Sequence, residues 1–267
     1  MADDSKPSKR RPPRASRRKR RGHSSDGHDD AATLAAAHAL ASEAATTTKD
    51  GKRRKVKSVR QLDPEAFRQV DGMLGSFAQR RFGKLMPKVA EGFFGAASED
   101  ERKLPVLQQA FALYFVYGYR DGQGLRILDM FARFGLKLDR EQQRVLAALQ
   151  RTSFVVFALD RKNDANKQLQ GRDLLRGVPM TALDRGVFDH LVPGDVIVAY
   201  MFPVGDLWRP LGMCTKVARA KANTLGKGLS QLAQQQGFSP PQLADRRPAQ
   251  IFWTALRVAE RNFSATA

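Results

Sequence analysis

An α+β fold follows from how the apolar period changes along the chain. Helix-spaced apolar residues run from Phe67 to Leu149, short β-branched and aromatic runs replace them between Phe154 and Thr215, and helical spacing returns from Val217. The expected order is a disordered basic N-terminal arm (1–60), a helical bundle (61–152), a small antiparallel β barrel-like domain (153–216) and two C-terminal helices packing on the body (217–267).

Composition limits the function classes. The 267 residues are 42% hydrophobic, enough for a core, while a mean hydropathy of -0.45 and the lack of a long apolar run argue against a membrane span. The single cysteine, Cys214, excludes an internal disulfide framework and a Cys-based zinc site. Lys and Arg number 46 against 27 Asp and Glu, a net charge of +19, which points to a polyanionic partner.

The charge sits at the two ends. Residues 1–60 hold 17 basic and 7 acidic residues, and before Val56 their only large hydrophobes are Met1, Leu34 and Leu40. Such a segment buries too little apolar surface to offset its chain entropy. Its cations cluster at Lys9, Arg10, Arg11, Arg14, Arg17, Arg18, Lys19, Arg20 and Arg21, and again at Lys52, Arg53, Arg54, Lys55 and Lys57. No apolar h-region follows the arginines, and Asp3, Asp4, Asp26, Asp29 and Asp30 fit a mitochondrial presequence poorly. The expected location is cytoplasmic, beside nucleoid or ribosome, or nuclear in a eukaryotic host. Residues 207–267 carry 9 basic and 2 acidic residues, with no acid between Leu207 and Ala244.

Asp63-Pro64 opens the first helix, with a capping carboxylate and proline at the first helical position. Phe67, Val70, Leu74 and Phe77 form its stripe, and Gly83 ends it. A second helix begins near Pro87. Ser98 to Glu101 is a capping box. Leu104–Tyr119 is apolar nearly all round and reads as the central buried helix. Leu125, Leu128 and Phe131 give a short helix, and Asp139 with Gln142 caps the next. Phe111, Tyr114, Phe115, Tyr117 and Tyr119 could stack bases, but helix-spaced aromatics are more often core.

Strands are expected at Phe154–Leu159, Val178–Leu183, Asp195–Phe202 and Trp208–Thr215, with a further one through Leu169–Leu174. Gly237 closes a helix begun after Lys216, Ser239 to Gln242 is another capping signature, and Ile251, Phe252, Ala255 and Leu256 lie on the face of the last helix.

The segments GRDLLRGVPMTAL and LVPGDVIVAYMFPVGD, following a helical block, resemble a group of bacterial proteins that carry an L-x-D-L-x-x-G and an L-x-P-G-D segment in a small β domain. The matching residues run from Leu169 through Gly177 and from Leu191 through Asp195. The resemblance implies a helical block with a small β domain and no particular activity. Many members end in a SEC-C zinc motif. This chain ends in Arg261-Asn262-Phe263-Ser264-Ala265-Thr266-Ala267 without one, so zinc-dependent docking is not carried over.

Chemistry is sparse. Gly226-Lys227-Gly228 is not a Walker A loop, and Gly118, Gly122 and Gly124 do not make a dinucleotide fingerprint. His190 beside Asp189 could act as a base with its orienting acid, although neighbours on an extended segment point apart. Asp173, Asp184 and Asp195 could gather around a metal, with turn and cap duty the commoner role. Cys214 reads as a buried inert thiol. No enzyme, cofactor or metal is expected. The expected function is sequence-nonspecific binding of DNA or structured RNA through the arm clusters together with Lys216, Arg219, Lys221 and Lys227, because such cations neutralise phosphates and release counterions. The alternative is a protein-interaction or scaffold protein whose tail is a spacer or targeting element.

Overall fold

The computed structural model describes residues 62–95, 97–212 and 214–260, Arg185 by its backbone only. The predicted disordered arm and both of its basic clusters lie outside these residues.

The helical half begins with α1 (Pro64–Phe82), whose cap Asp63 accepts the amides of Glu65 at 3.2 Å and Ala66 at 3.4 Å. Its buried stripe is Ala66, Val70, Leu74 and Ala78, spaced to meet one neighbouring face. Next come α2 (Met86–Phe94) and the single turn α3 (Glu99–Arg102), which the Ser98–Glu101 capping box holds.

The expected helix over Leu104–Tyr119 differs in two ways. It is regular only through α4 (Pro105–Leu113) and then widens into a π turn, Tyr114–Gly118, closed by the Tyr119 amide on the Tyr114 carbonyl at 2.7 Å. Nor is it buried all round. Leu104 and Val106 are 39% and 41% exposed, because only the Leu107, Ala110 and Phe111 side of α4 meets other elements. Helices α5 (Ile127–Arg133) and α6 (Arg140–Gln150) complete this half, the latter begun by the Asp139–Gln142 box.

The strands are β1 (Ser153–Asn163), β2 (Gln168–Asp173), β3 (Pro179–Leu183), β4 (Val196–Val204), β5 (Leu207–Pro210) and β6 (Thr215–Val217), with a turn of helix, α7 (Arg185–Phe188), before β4. They close a five-stranded barrel in the order β1-β2-β3-β5-β4 and back to β1, with β6 added on β4. All pairings are antiparallel except β3 with β5, where Ala182 sits parallel to Trp208. The single expected strand over Trp208–Thr215 is two strands, since Pro210 lacks an amide to continue a ladder.

Strand β4 explains the core. Ile197, Ala199 and Met201 point into the barrel beside Val155, Phe157, Leu159, Leu169 and Phe188. Val196, Val198, Tyr200 and Phe202 point out, into a larger core shared with the helices. A strand covered on both faces must be apolar throughout, and all nine residues of β4 are buried. Gly171 lets β2 cross close over β1, since a Cβ there would overlap the carbonyl of Ala158 next to a bulge between Leu159 and Arg161.

After a 3₁₀ turn (Arg219–Lys221) come α8 (Ala222–Gln236), α9 (Pro240–Arg246) and α10 (Pro248–Ala259). The two expected C-terminal helices are thus three, the last two separated at Arg247 (φ -133°, ψ 42°) directly before Pro248. Gly228 on α8 faces Thr254 on α10, and Trp253 donates its indole N–H to the Phe93 carbonyl at 2.6 Å, tying α10 back to α2.

Candidate nucleic-acid interface and polar cleft

Asp195 organises the predicted C-terminal cations. Its buried carboxylate, at the start of β4, accepts the amides of Val192 at 3.0 Å and Arg219 at 2.9 Å and pairs with Lys216 Nζ at 3.1 Å. Burial pushes this carboxyl up, but the two amides and the Lys216 ammonium outweigh it and hold the pKa below the usual aspartate value. Lys216 also donates to the His190 carbonyl at 2.7 Å, and Lys221 donates to the Ala259 carbonyl at 2.8 Å, near the C-terminal end of α10. Two of the four cations are therefore held by the fold.

Arg219 and Lys227 are exposed and have no carboxylate within 4 Å among the described residues. Arg219 lies over Gly194, where a Cβ would strike its Cγ and Cδ. Gly194 in turn borders an open groove of about 710 Å³ lined along α8 by Asn223, Lys227, Ser230, Gln231 and Gln234. Among the described residues no acidic side chain lines it.

The other sequence candidates resolve into structural roles. Asp173 accepts the Leu175 amide at 2.9 Å and pairs with Arg176 at 2.8 Å, while Asp184 caps α7 through Val187. With Asp195 they occupy three separate turns. Asp189 lies 3.6 Å from Lys167, and His190 is exposed. Burial, with Asp184 nearby, pushes the Cys214 thiol up to about 12, so it stays protonated at neutral pH. The aromatics of α4 and the π turn form a ring cluster, with Phe93 against Phe111 at 5.6 Å and Tyr114 at 5.0 Å.

Sequence reasoning missed a polar cleft of about 270 Å³ at the other end of the β1–β4 pair, between the π turn and the α9–α10 corner. Three hydroxyls in its lining are buried: those of Thr152 and Tyr200 find no hydrogen-bond partner among the described residues, and that of Tyr117 faces the Asp71 carboxylate. Gly118 leaves room for the Tyr200 oxygen, since a Cβ there would overlap it. Arg126 spans the wall. It grips Asp129 with two nitrogens at 2.8 and 2.9 Å and donates to the carbonyls of Thr152 at 2.9 Å and Gln150 at 2.7 Å. Arg120 and Arg151 border the opening, and Arg176 bonds Asp245 at 2.7 Å. Burial raises the Tyr200 and Tyr117 hydroxyls well above the ordinary tyrosine value, with the Asp71 carboxylate beside Tyr117 adding to its rise, so both keep their protons. In sequence these residues lie far apart, and a tyrosine among apolar neighbours reads as core.

A second groove, of about 930 Å³, lies between α1 and α5. Arg68, Arg80 and Arg81 border it with the exposed Phe134 and Leu136, and the Arg81 guanidinium lies 4.9 Å above the Phe134 ring.

Comparison of the chain with protein-family models, with the curated proteins and with the solved structures returns no match.

Proposed function

We propose that the protein binds DNA or structured RNA through its phosphate backbone without reading sequence, the N-terminal cations supplying most of the electrostatic affinity. The supporting observation in the folded body is the acid-free groove on α8. It offers amide and hydroxyl side chains beside Lys227, with Arg219 over the adjoining Gly194 turn. Amides and hydroxyls bond phosphate oxygens and sugars, while cations release condensed counterions; such contacts orient a duplex but do not read its bases.

The test is a salt titration of full-length protein with a duplex DNA and a structured RNA, repeated with the cations of Lys9–Arg21 and Lys52–Lys57 changed to Gln. A steep log–log slope that becomes shallower in the Gln variant supports the reading. No binding at about 50 mM salt by either protein overturns it. The alternative, a protein-interaction role, draws support from the α1–α5 groove, where exposed Phe134 and Leu136 lie between arginines. A partner held there would survive high salt.

A further inference from the structure

We infer that the cleft at the π turn is a binding site for the oxyanion group, phosphate or carboxylate, of a small molecule. The argument rests on an imbalance of donors and acceptors. Thr152 and Tyr200 are each at least nine-tenths buried, and their hydroxyls reach no partner among the described residues, while the equally buried Tyr117 hydroxyl faces the Asp71 carboxylate. A hydroxyl left so is costly, and two in one cleft call for a partner that enters it. The wall's acceptors are already engaged. Arg126 holds the carbonyls of Gln150 and Thr152, Arg120 holds the Gly124 carbonyl at 2.9 Å and reaches that of Asp245, and Arg176 holds the Asp245 carboxylate.

Asp71 already serves the Tyr117 hydroxyl, so Thr152, Tyr200 and the two arginines at the opening present hydrogens and positive charge with few free acceptors, and the ligand must supply acceptors and negative charge. Arg120 and Arg151 at the opening have no carboxylate within 4 Å among the described residues. Gly118 and the π turn independently point to a built site. The π turn shifts the chain where Tyr117 and Gly118 meet the cleft, and insertions of this kind concentrate at functional positions. Only glycine at 118 leaves space for the Tyr200 hydroxyl. At about 270 Å³ the volume falls at the small end of ligand pockets, so it admits an oxyanion with a short body and not a polymer.

The test uses the fact that the chain has four tyrosines, Tyr114, Tyr117, Tyr119 and Tyr200. Full-length protein with ¹³C-labelled tyrosine rings is titrated with inorganic phosphate, and separately with acetate, at ionic strength held constant with chloride. The expected result is a saturable shift of the Tyr200 and Tyr117 signals with one or both anions, the tighter one naming the head group. Arg120→Gln and Thr152→Val, each checked for an unchanged melting temperature, should weaken that binding about tenfold, whereas Lys227→Ala should leave it unchanged. Signals of Tyr117 and Tyr200 that stay in place with both anions, or that respond equally in the two cleft variants, overturn the assignment. Because the readout sits on the cleft tyrosines, anions attracted to the basic arm do not mimic it.

Discussion

The Asp195 carboxylate accepts the main-chain amide of Arg219 at 2.9 Å, locking the turn before β4 to the turn that leads into α8. Asp195 is 2% exposed and its pKa is held below the unfolded value, so its contribution to stability has a definite pH range. It is complete above about pH 4, the unfolded pKa, and is lost as pH falls through the lower folded value. Asp129, clamped by Arg126, has the same sign. Asp195→Asn should therefore cost about 2–3 kcal/mol in denaturant unfolding at pH 7, and the gap from wild type should close below about pH 4. A gap that persists unchanged at low pH would show that the amides, not the charge, carry the effect.

Gly171→Ala should destabilise the barrel by at least about 2 kcal/mol. The new Cβ would meet the Ala158 carbonyl, a backbone atom that cannot rotate away, and also the Phe157 ring. Thermal unfolding measures the loss. Gly226→Ala on α8 is the contrast, since nothing lies within 4 Å of its Cβ position, and it should stabilise slightly through helix propensity.

Tyr200→Phe should hold or raise the stability of the ligand-free protein, by up to about 1 kcal/mol, because it deletes a buried hydroxyl that has no partner and keeps the ring against Phe154 at 4.8 Å. Calorimetric unfolding of the two proteins checks the sign. A loss of several kcal/mol would mean that the hydroxyl is bonded inside the fold and is not held ready for a ligand.

Local chemistry made most elements readable in the chain. Asp63-Pro64, the Ser98 and Ser239 capping boxes and Gly237 act within four residues of where they sit, and each ends or begins a helix as its residue type dictates. The β4 run was legible because burial on both faces demands unbroken apolar sequence. Barrel closure through Ala182 and Trp208 was not, since a single parallel contact between residues 26 apart leaves no local pattern. The cleft was hidden for a similar reason. Tyr117, Thr152 and Tyr200 converge only through tertiary packing, and the π turn that positions Tyr117 falls inside a continuous helical pattern. Charge counts identified Lys216, Arg219, Lys221 and Lys227 as a basic group, but could not say which cations face an internal carboxylate or carbonyl.

That distinction separates the four in a binding experiment. Lys216 is neutralised by Asp195 at 3.1 Å and has no net charge to offer a phosphate, while Lys221 keeps its charge but must leave the Ala259 carbonyl to offer it. Arg219→Ala and Lys227→Ala should each reduce the log–log salt slope for duplex DNA by about 0.9, one released counterion apiece, and the double variant by roughly twice that. Lys216→Ala should leave the slope unchanged and instead lower stability, because Asp195 then loses its buried-side ion pair. Salt titrations of the four full-length variants, paired with their unfolding midpoints, give both readings. If all four cations lower the slope equally, the ion pair at Asp195 opens on binding and the charge of Lys216 counts toward the interface. If none does, the α8 face is not the surface that meets nucleic acid.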